Sequence, residues 1–448
     1  MTEAVLVDLI HGCGPRCTAA SLPEDEPASP SHVFLLCGTG TRYRGDACSS
    51  SAHVLDSGST AERLYRFKQT VDQLDLYSVR VYTTPRGRDV LLLYQQQLFT
   101  EVYTFHYHVD HRPTCPSCAG SAHSAGDPPG GDDAVQVEQQ VSRFLQQLPA
   151  LRGGVRVLTS SLIPECFGHG FSTRSGGVSS IPSLSSLNLF SSSRRRDPEA
   201  VVTENRRRLG LHAGFYPRPL HLVKVDHGSH VWVVGRAEPE RYDAVVTDRP
   251  GVVVGAPGAD CMTILLADQR TRVIAAAHAG WKGTLMGVAM ATVGAMVTEF
   301  GCRVTDIVVA VGPSVGGCCF TLNRDQIKDF RDIHEDCVPD PETDRPHVNI
   351  RLANRVLLQR GGVLPEHIHD DMETERSSVT PCTSCHPEDF FSHVRDGLNF
   401  GTQVGFLWIR GRTDRGTEDT SGTTGGTVVS NNRQVEDTWK HLETSGDI

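Results

Sequence analysis

Residues 259–283 read Ala-Asp-Cys-Met-Thr-Ile-Leu-Leu-Ala-Asp-Gln-Arg-Thr-Arg-Val-Ile-Ala-Ala-Ala-His-Ala-Gly-Trp-Lys-Gly, and residues 284–300 continue as Thr-Leu-Met-Gly-Val-Ala-Met-Ala-Thr-Val-Gly-Ala-Met-Val-Thr-Glu-Phe. Two short apolar runs, Met262 to Ala267 and Val273 to Ala277, have strand character, while 284–300 is long enough for a helix and stops at Gly301. Small residues along that helix predict close packing on a sheet. Outward from this block, Val155 to Leu158, Ala244 to Val246 and Ile307 to Val311 add further strand-like runs between helical stretches, so 154–410 reads as an α/β domain. Upstream, His32 to Leu36, Ser78 to Tyr82 and Val90 to Tyr94 are short apolar runs around a helix-like stretch near 61–76, which predicts a smaller α/β domain over 1–111.

The remainder is punctuation. Residues 112–133, rich in Pro, Ser, Gly and Asp, read as a flexible linker or long loop. Residues 134–153 carry Val137, Val141, Phe144, Leu145 and Leu148 at helical spacing before Pro149, and predict a connecting helix. Residues 411–448 have no periodic apolar face and are expected to be a disordered tail. A length of 448 residues with 38% apolar content agrees with two domains plus such segments.

Composition excludes several functions. A net charge of −10 leaves no footprint for bulk nucleic acid, and Arg194 to Arg196 and Arg206 to Arg208 read as solvated charges at a helix start. The first residues lack the basic start of a secretory signal, and Asp8 and His11 interrupt their apolar stretch, so no secretion is expected. No window approaches the roughly 20 apolar residues of a membrane span. In a reducing compartment the 14 cysteines are then read as buried thiols, metal ligands or catalytic groups before disulfides.

Three residues concentrate the chemistry: His227 in Lys-Val-Asp-His-Gly, Cys261 in Ala-Asp-Cys-Met, and His278 in Ala-Ala-His-Ala-Gly, each at the end of an apolar segment. Two imidazoles and a thiolate form a credible zinc set with a fourth position open. The same residues also read as buried histidines with an inert thiol, and spacing alone leaves both readings standing. Asp260 reads either as a hydrogen-bond acceptor or proton carrier behind Cys261, or as a backbone cap. A helix start near Thr284 with Lys282, and Arg174, would suit an anion.

The strings His-Gly-Phe-Ser-Thr-Arg-Ser-Gly-Gly-Val-Ser (169–179), Ser-Leu-Asn-Leu (186–189), Lys-Val-Asp-His-Gly (224–228), Ala-Asp-Cys (259–261), His-Ala-Gly-Trp-Lys-Gly (278–283), Val-Gly-Pro-Ser-Val-Gly (311–316) and Phe-Phe-Ser-His-Val-Arg-Asp-Gly (390–397) resemble the YfiH/YlmD family, also called the laccase-domain or DUF152 family. The resemblance covers about 154–410 and implies an α/β/β/α sandwich. It implies a Zn²⁺ enzyme held by His227, Cys261 and His278, with Arg174, Asn188, Lys282 and Arg395 at the substrates. The implied reactions are phosphorolysis of adenosine, inosine, guanosine and S-methyl-5'-thioadenosine by inorganic phosphate, and deamination of adenosine to inosine. A cytoplasmic, nuclear or peroxisome-associated location and a role in immune-cell purine metabolism are further implications, with protein partners at the amino-terminal domain unspecified. The chain departs from the family pattern in two places: Val225 replaces the usual Gln before the first ligand, and Lys282 replaces an Arg, keeping its charge without the planar fork.

Competing motifs carry less. Gly280 to Thr284 lacks the spacing of a nucleotide-binding P-loop. Cys382-Thr-Ser-Cys385-His386 matches haem attachment and contains deaminase half-motifs in the wrong order; Cys382 and Cys385 read first as structural, with a second zinc as an alternative. His106, His108, His111, Cys115 and Cys118 read either as a zinc cluster or as an edge strand followed by a loop. Copper oxidation is disfavoured because the second half shows no His-Cys-His run. A cysteine hydrolase using Cys261 with His278 as base, and a non-enzymatic scaffold, remain as alternatives.

Overall fold

The computed structural model describes residues 2–11, 32–38, 52–56, 58–109, 131–371 and 378–411. The expected linker, apart from the helix that begins at Gly131, lies outside these residues, as do His111, Cys115, Cys118 and all but the first residue of the expected tail.

The amino-terminal part is built from β1 (Ala4–Asp8), β2 (His32–Leu36), β3 (His53–Leu55), α1 (Thr60–Gln73), β4 (Ser78–Thr83), α2 (Pro85–Leu98) and β5 (Thr104–Val109). Its strands pair in parallel in the order β3-β2-β1-β4-β5. In β1 the alternation is plain: Ala4 and Leu6 face α1 and α2, while Val5 and Val7 lie on the opposite face with Leu35 and Cys37. The run Val90 to Tyr94, expected as a strand, lies inside α2. Pro85 opens that helix and Thr84 caps it through Gly87 N–H (3.1 Å), signals that outweigh a short apolar run compatible with either state. His106 and His108 sit on β5 at the sheet edge, as the edge-strand alternative had it.

Helix α3 (Gly131–Gln147) starts and ends earlier than the expected 134–153 and packs on α1 and α2 through Val137, Val141 and Leu145. It also meets α4 (Glu199–Ala213), whose Arg208 donates to the carbonyls of Leu145 (3.3 Å) and Leu148 (2.6 Å). Tyr65 reaches the Val178 carbonyl (3.2 Å) and Arg196 reaches Asp75 (2.7 Å), so the two halves share one packed body.

The larger part comprises β6 (Val157–Leu158), β7 (Phe167–Ser172), β8 (Leu220–Leu222), β9 (Val231–Val233), β10 (Ala244–Thr247), β11 (Val253–Gly258), β12 (Met262–Asp268), β13 (Val273–Ala279), α5 (Trp281–Leu285), α6 (Val288–Phe300), β14 (Ile307–Val311), α7 (Lys328–Ile333), α8 (Ile350–Arg360), β15 (Ile368–His369), α9 (His393–Asp396) and β16 (Gln403–Ile409). Two sheets form, ordered β6-β7-β16-β11-β8 and β15-β14-β12-β13-β10-β9. Phe171, Ala256 and Leu407 from the first meet Leu265, Ile274 and Ala276 from the second. The outer face of the second sheet packs on α6, α7 and α8 through Ala275, Ala277, Val293, Phe330 and Leu358, and that of the first packs on α4 through Phe406 and Leu209. The result is an α/β/β/α sandwich. Strand β13 is fully buried along its length because both its faces are covered, which explains its unbroken apolar sequence.

The expected helix at 284–300 is divided. Gly287, with φ +78°, ends the short α5 turn and begins α6, a conformation that glycine adopts without the Cβ penalty. Among the described residues, no helix is long and apolar enough to cross a membrane.

Candidate metal centre and active site

The site follows from strand register. Strands β12 and β13 pair antiparallel with Thr263 opposite His278 and Met262 opposite Ala279, so Cys261, just before β12, arrives beside the end of β13 that carries His278. Strand β10 pairs antiparallel with the other edge of β13, Ala244 opposite Ala277, which sets Asp243 next to His278. His227 comes from the segment between β8 of the first sheet and β9 of the second. The donor atoms of His227, Cys261 and His278 lie within 4.8 Å of one another, with His227 exposed, Cys261 half-buried and His278 buried.

Asp243 organises this group, and sequence reasoning missed it. Its Oδ1 accepts from His278 Nδ1 (3.0 Å) and from His227 N–H (3.1 Å), while Oδ2 accepts from the N–H groups of Asp226 (3.1 Å) and Gly228 (2.8 Å). One fully buried carboxylate therefore orients the imidazole and folds the loop that carries His227, whose φ is +58°. Burial opposes its charge, but the His278 imidazole and these N–H groups hold its carboxyl below the usual range. With Nδ1 engaged, His278 keeps Nε2 as its donor, the arrangement found behind metal-ligating histidines.

Burial pushes the Cys261 thiol up, yet the His278 charge and hydrogen bonds from both imidazoles outweigh it and bring the thiol down to about 6. Burial pushes His278 down, and Cys261 with Asp243 raises it to about 9. A thiolate at neutral pH suits both a metal ion and a nucleophile. The donor set and its backing carboxylate fit a zinc ion with an open coordination position.

Gly280 gives the site its space. A Cβ there would stand 2.9 Å from Cys261 Sγ and 3.7 Å from His227 Cδ2. Gly280→Ala is expected to lower metal content and to destabilise the fold by about 1–3 kcal/mol, the usual cost of overpacking; elemental analysis and denaturant unfolding check both.

Asp260, at φ +99°, accepts from Thr383 Oγ1 (2.6 Å), Ser392 Oγ (2.7 Å) and Val394 N–H (2.6 Å). It thus ties the turn before Cys261 to the segment around α9, and its acceptor capacity goes to that task. Lys282, two residues after Gly280, lies with Nζ 5.4 Å from the Trp281 ring centre. The anion site expected at a helix start near Thr284 is not formed there, because Thr284 lies within α5 and α6 begins at Val288.

The other residues expected at the substrates make the following contacts within the protein. Arg174 is 5% exposed and donates to the carbonyls of Ser185 (2.7 Å), Pro387 (2.8 Å) and Pro182 (2.9 Å), with its guanidinium 4.7 Å from the Phe391 ring centre. Asn188 is fully buried, donating to Asp197 (3.0 Å) and accepting from Thr402 N–H (3.0 Å). Arg395 binds Asp396 through two nitrogens and donates to the carbonyls of Thr383 (2.9 Å) and Phe390 (3.0 Å). These hydrogen bonds tie loops of the chain together. Arg174→Ala is expected to cost about 3 kcal/mol or more, since hydrogen bonds to charged groups contribute about 1.5–3 kcal/mol each, and Arg174→Lys to leave KM for phosphate unchanged; unfolding curves and initial rates test this.

An α/β/β/α sandwich with a His-Cys-His group at the junction of its two sheets defines a class. Residues 168–410 match the family model described as "Multi-copper polyphenol oxidoreductase laccase". The chain is similar to proteins named purine nucleoside phosphorylase LACC1 from Mus musculus, 48% identical over 78% of this chain and 80% of that one, and from Homo sapiens, 41% identical over 92% and 100%. It is also similar to adenosine deaminase RL5 from an unknown prokaryotic organism, 30% identical over 52% of this chain and 90% of that one. The crystal structure of YlmD from Geobacillus stearothermophilus superposes with a TM-score of 0.50 at 28% identity, covering 56% of this chain and 94% of that one. The chain belongs to the YfiH/YlmD family.

Proposed function

We propose that the protein is a zinc-dependent purine nucleoside phosphorylase that converts adenosine, inosine, guanosine and S-methyl-5'-thioadenosine to free base and (methylthio)ribose 1-phosphate, and that it deaminates adenosine to inosine as a second activity. The convergence of the His227, Cys261 and His278 donors within 4.8 Å, with Asp243 behind them, carries this reading. Relatives named as phosphorylases, one spanning nearly the whole chain, and one named as a deaminase support it.

Zinc bound there would supply Lewis acidity at an open position beside the substrate. His227, on the exposed side, borders the substrate; His278, buried and hydrogen-bonded through Nδ1 to Asp243, is held in orientation. Lys282 would supply the cation for phosphate, and a phosphate oxygen attacks ribose C1' as the base departs. Arg174, Asn188, Arg395 and Asp260 position the loops around these groups. Location in the cytoplasm, nucleus or peroxisome, the role in immune-cell purine metabolism and partner binding at the amino-terminal domain follow from the family resemblance.

The low thiol pKa beside an imidazole also favours a second reading, Cys261 as nucleophile and His278 as base. Copper oxidation gains no such support: among the described residues the convergent donor groups are this one and a set of four cysteines, and neither offers the paired histidines of a trinuclear cluster. The experiment is incubation with adenosine, with and without phosphate, and separation of products. Adenine and ribose 1-phosphate that need phosphate, with inosine independent of it, are expected. Absence of adenine, inosine, hypoxanthine and ribose 1-phosphate alike overturns the proposal.

A further inference from the structure

Two pairs far apart in sequence, Cys318 with Cys319 and Cys382 with Cys385, bring their four sulfur atoms within 4.8 Å of one another. Cys318 Sγ stands 3.7 Å and Cys319 Sγ 3.4 Å from Cys385 Sγ, and all four are free thiols. A tetrahedral zinc tetrathiolate, with Zn–S near 2.3 Å, places its sulfurs about 3.8 Å apart, so the spacing needs only small adjustment. The backbone is arranged around the sulfurs. Gly316 N–H donates to Cys382 Sγ (3.3 Å), and a Cβ at Gly316 would stand 3.1 Å from Cys318 Sγ. The N–H groups of Cys319 and Phe320 both return to the Gly316 carbonyl (3.0 and 3.1 Å), a tight turn that lets adjacent cysteines point to one place. Arg351 supplies compensating charge. Its guanidinium donates to Ser314 Oγ (2.9 Å) and to the carbonyls of Thr380 (2.6 Å) and Pro381 (3.0 Å), directly beside Cys382.

We infer that Cys318, Cys319, Cys382 and Cys385 hold one zinc ion as a structural tetrathiolate, separate from the His227, Cys261 and His278 group. Zinc suits four thiolates because it is redox-inert, accepts tetrahedral geometry and needs no open position in a structural site. Its place in the fold gives it a task. It staples the turn after β14 to the segment 381–385, adding to the bridge of Ser314 with Cys382, the bond from Thr383 N–H to the Ser314 carbonyl (3.0 Å) and the links through Gly316 and Arg351. Both segments hold Asp260: Thr383 through its hydroxyl, and Val315 through an N–H to the Asp260 carbonyl (3.0 Å). The ion therefore steadies the residue preceding Cys261 and acts as a positioning device.

The test uses the full chain expressed with zinc. Elemental analysis of the triple variant His227→Ala, Cys261→Ala, His278→Ala is expected to find about one zinc per chain, and Cys385→Ser is expected to remove it together with a drop in Tm. X-ray absorption on the wild-type protein covers the case in which the triple variant fails to fold. Two sites together give about 2.5 sulfur neighbours per zinc, whereas the His-Cys-His group alone gives about one. A zinc-free triple variant that is folded, a wild-type average near one sulfur per zinc, or an intact mass under non-reducing conditions that is lighter by two hydrogens per cysteine pair overturns the inference.

Discussion

Cys261→Ala and His278→Ala are each expected to lower kcat/KM for inosine phosphorolysis by more than about 100-fold, the upper range for losing a group that merely backs a metal ligand. The physical reason differs between them. Alanine at 261 removes the one anionic donor, whose charge is sustained by two imidazoles against burial. At 278 it removes the most deeply buried donor and leaves Asp243 Oδ1 with the His227 N–H as its remaining partner there. Metal content measured beside steady-state rates distinguishes these effects from a folding defect: zinc at the triad is lost in both, while circular dichroism stays native in Cys261→Ala. Retained activity in either variant would remove the group from catalysis.

Asp243→Asn is the second large effect. The amide keeps the shape but presents one oxygen where four hydrogen bonds now converge on two, three from backbone N–H groups and one from His278. Either the imidazole or the loop carrying His227 loses its acceptor. Metal affinity and activity are expected to fall by about 10–100-fold, with Tm reduced because part-buried N–H groups lose their acceptor. Zinc competition with a chromogenic chelator measures the affinity; an unchanged dissociation constant would show that Asp243 is structural alone.

How much of this was legible beforehand depends on whether a signal is local. The β12–β13 pair and its Cys261 and His278 could be read because two apolar runs end on chemically distinctive residues. The Asp243 contribution could not: in Arg-Tyr-Asp-Ala-Val-Val it precedes an ordinary strand, and its place behind His278 arises from the pairing of β10 with β13. A carboxylate just before a strand that flanks the one bearing the histidine is the signal that could have found it. Arg174, Asn188 and Arg395 stood out through family motifs, but their partners include Pro387 and Thr402, more than 200 residues away in the first two cases. The misread Val90 to Tyr94 shows the opposite limit, because five apolar residues fit a strand or a helix and the decision lay in Thr84 and Pro85. The four-cysteine group was half visible as Cys382 and Cys385, and the turn supplying Cys318 and Cys319 is joined to it only by tertiary structure.

The central claim is that this site requires zinc for phosphorolysis. Its most direct measurement is the rate of hypoxanthine release from inosine and phosphate by protein stripped of metal and then titrated with zinc. Loss of activity on stripping and its return with added zinc, with ribose 1-phosphate formed in equal amount, is the predicted result. Metal-free protein that keeps full activity and loses it only when Cys261 is alkylated would contradict the account.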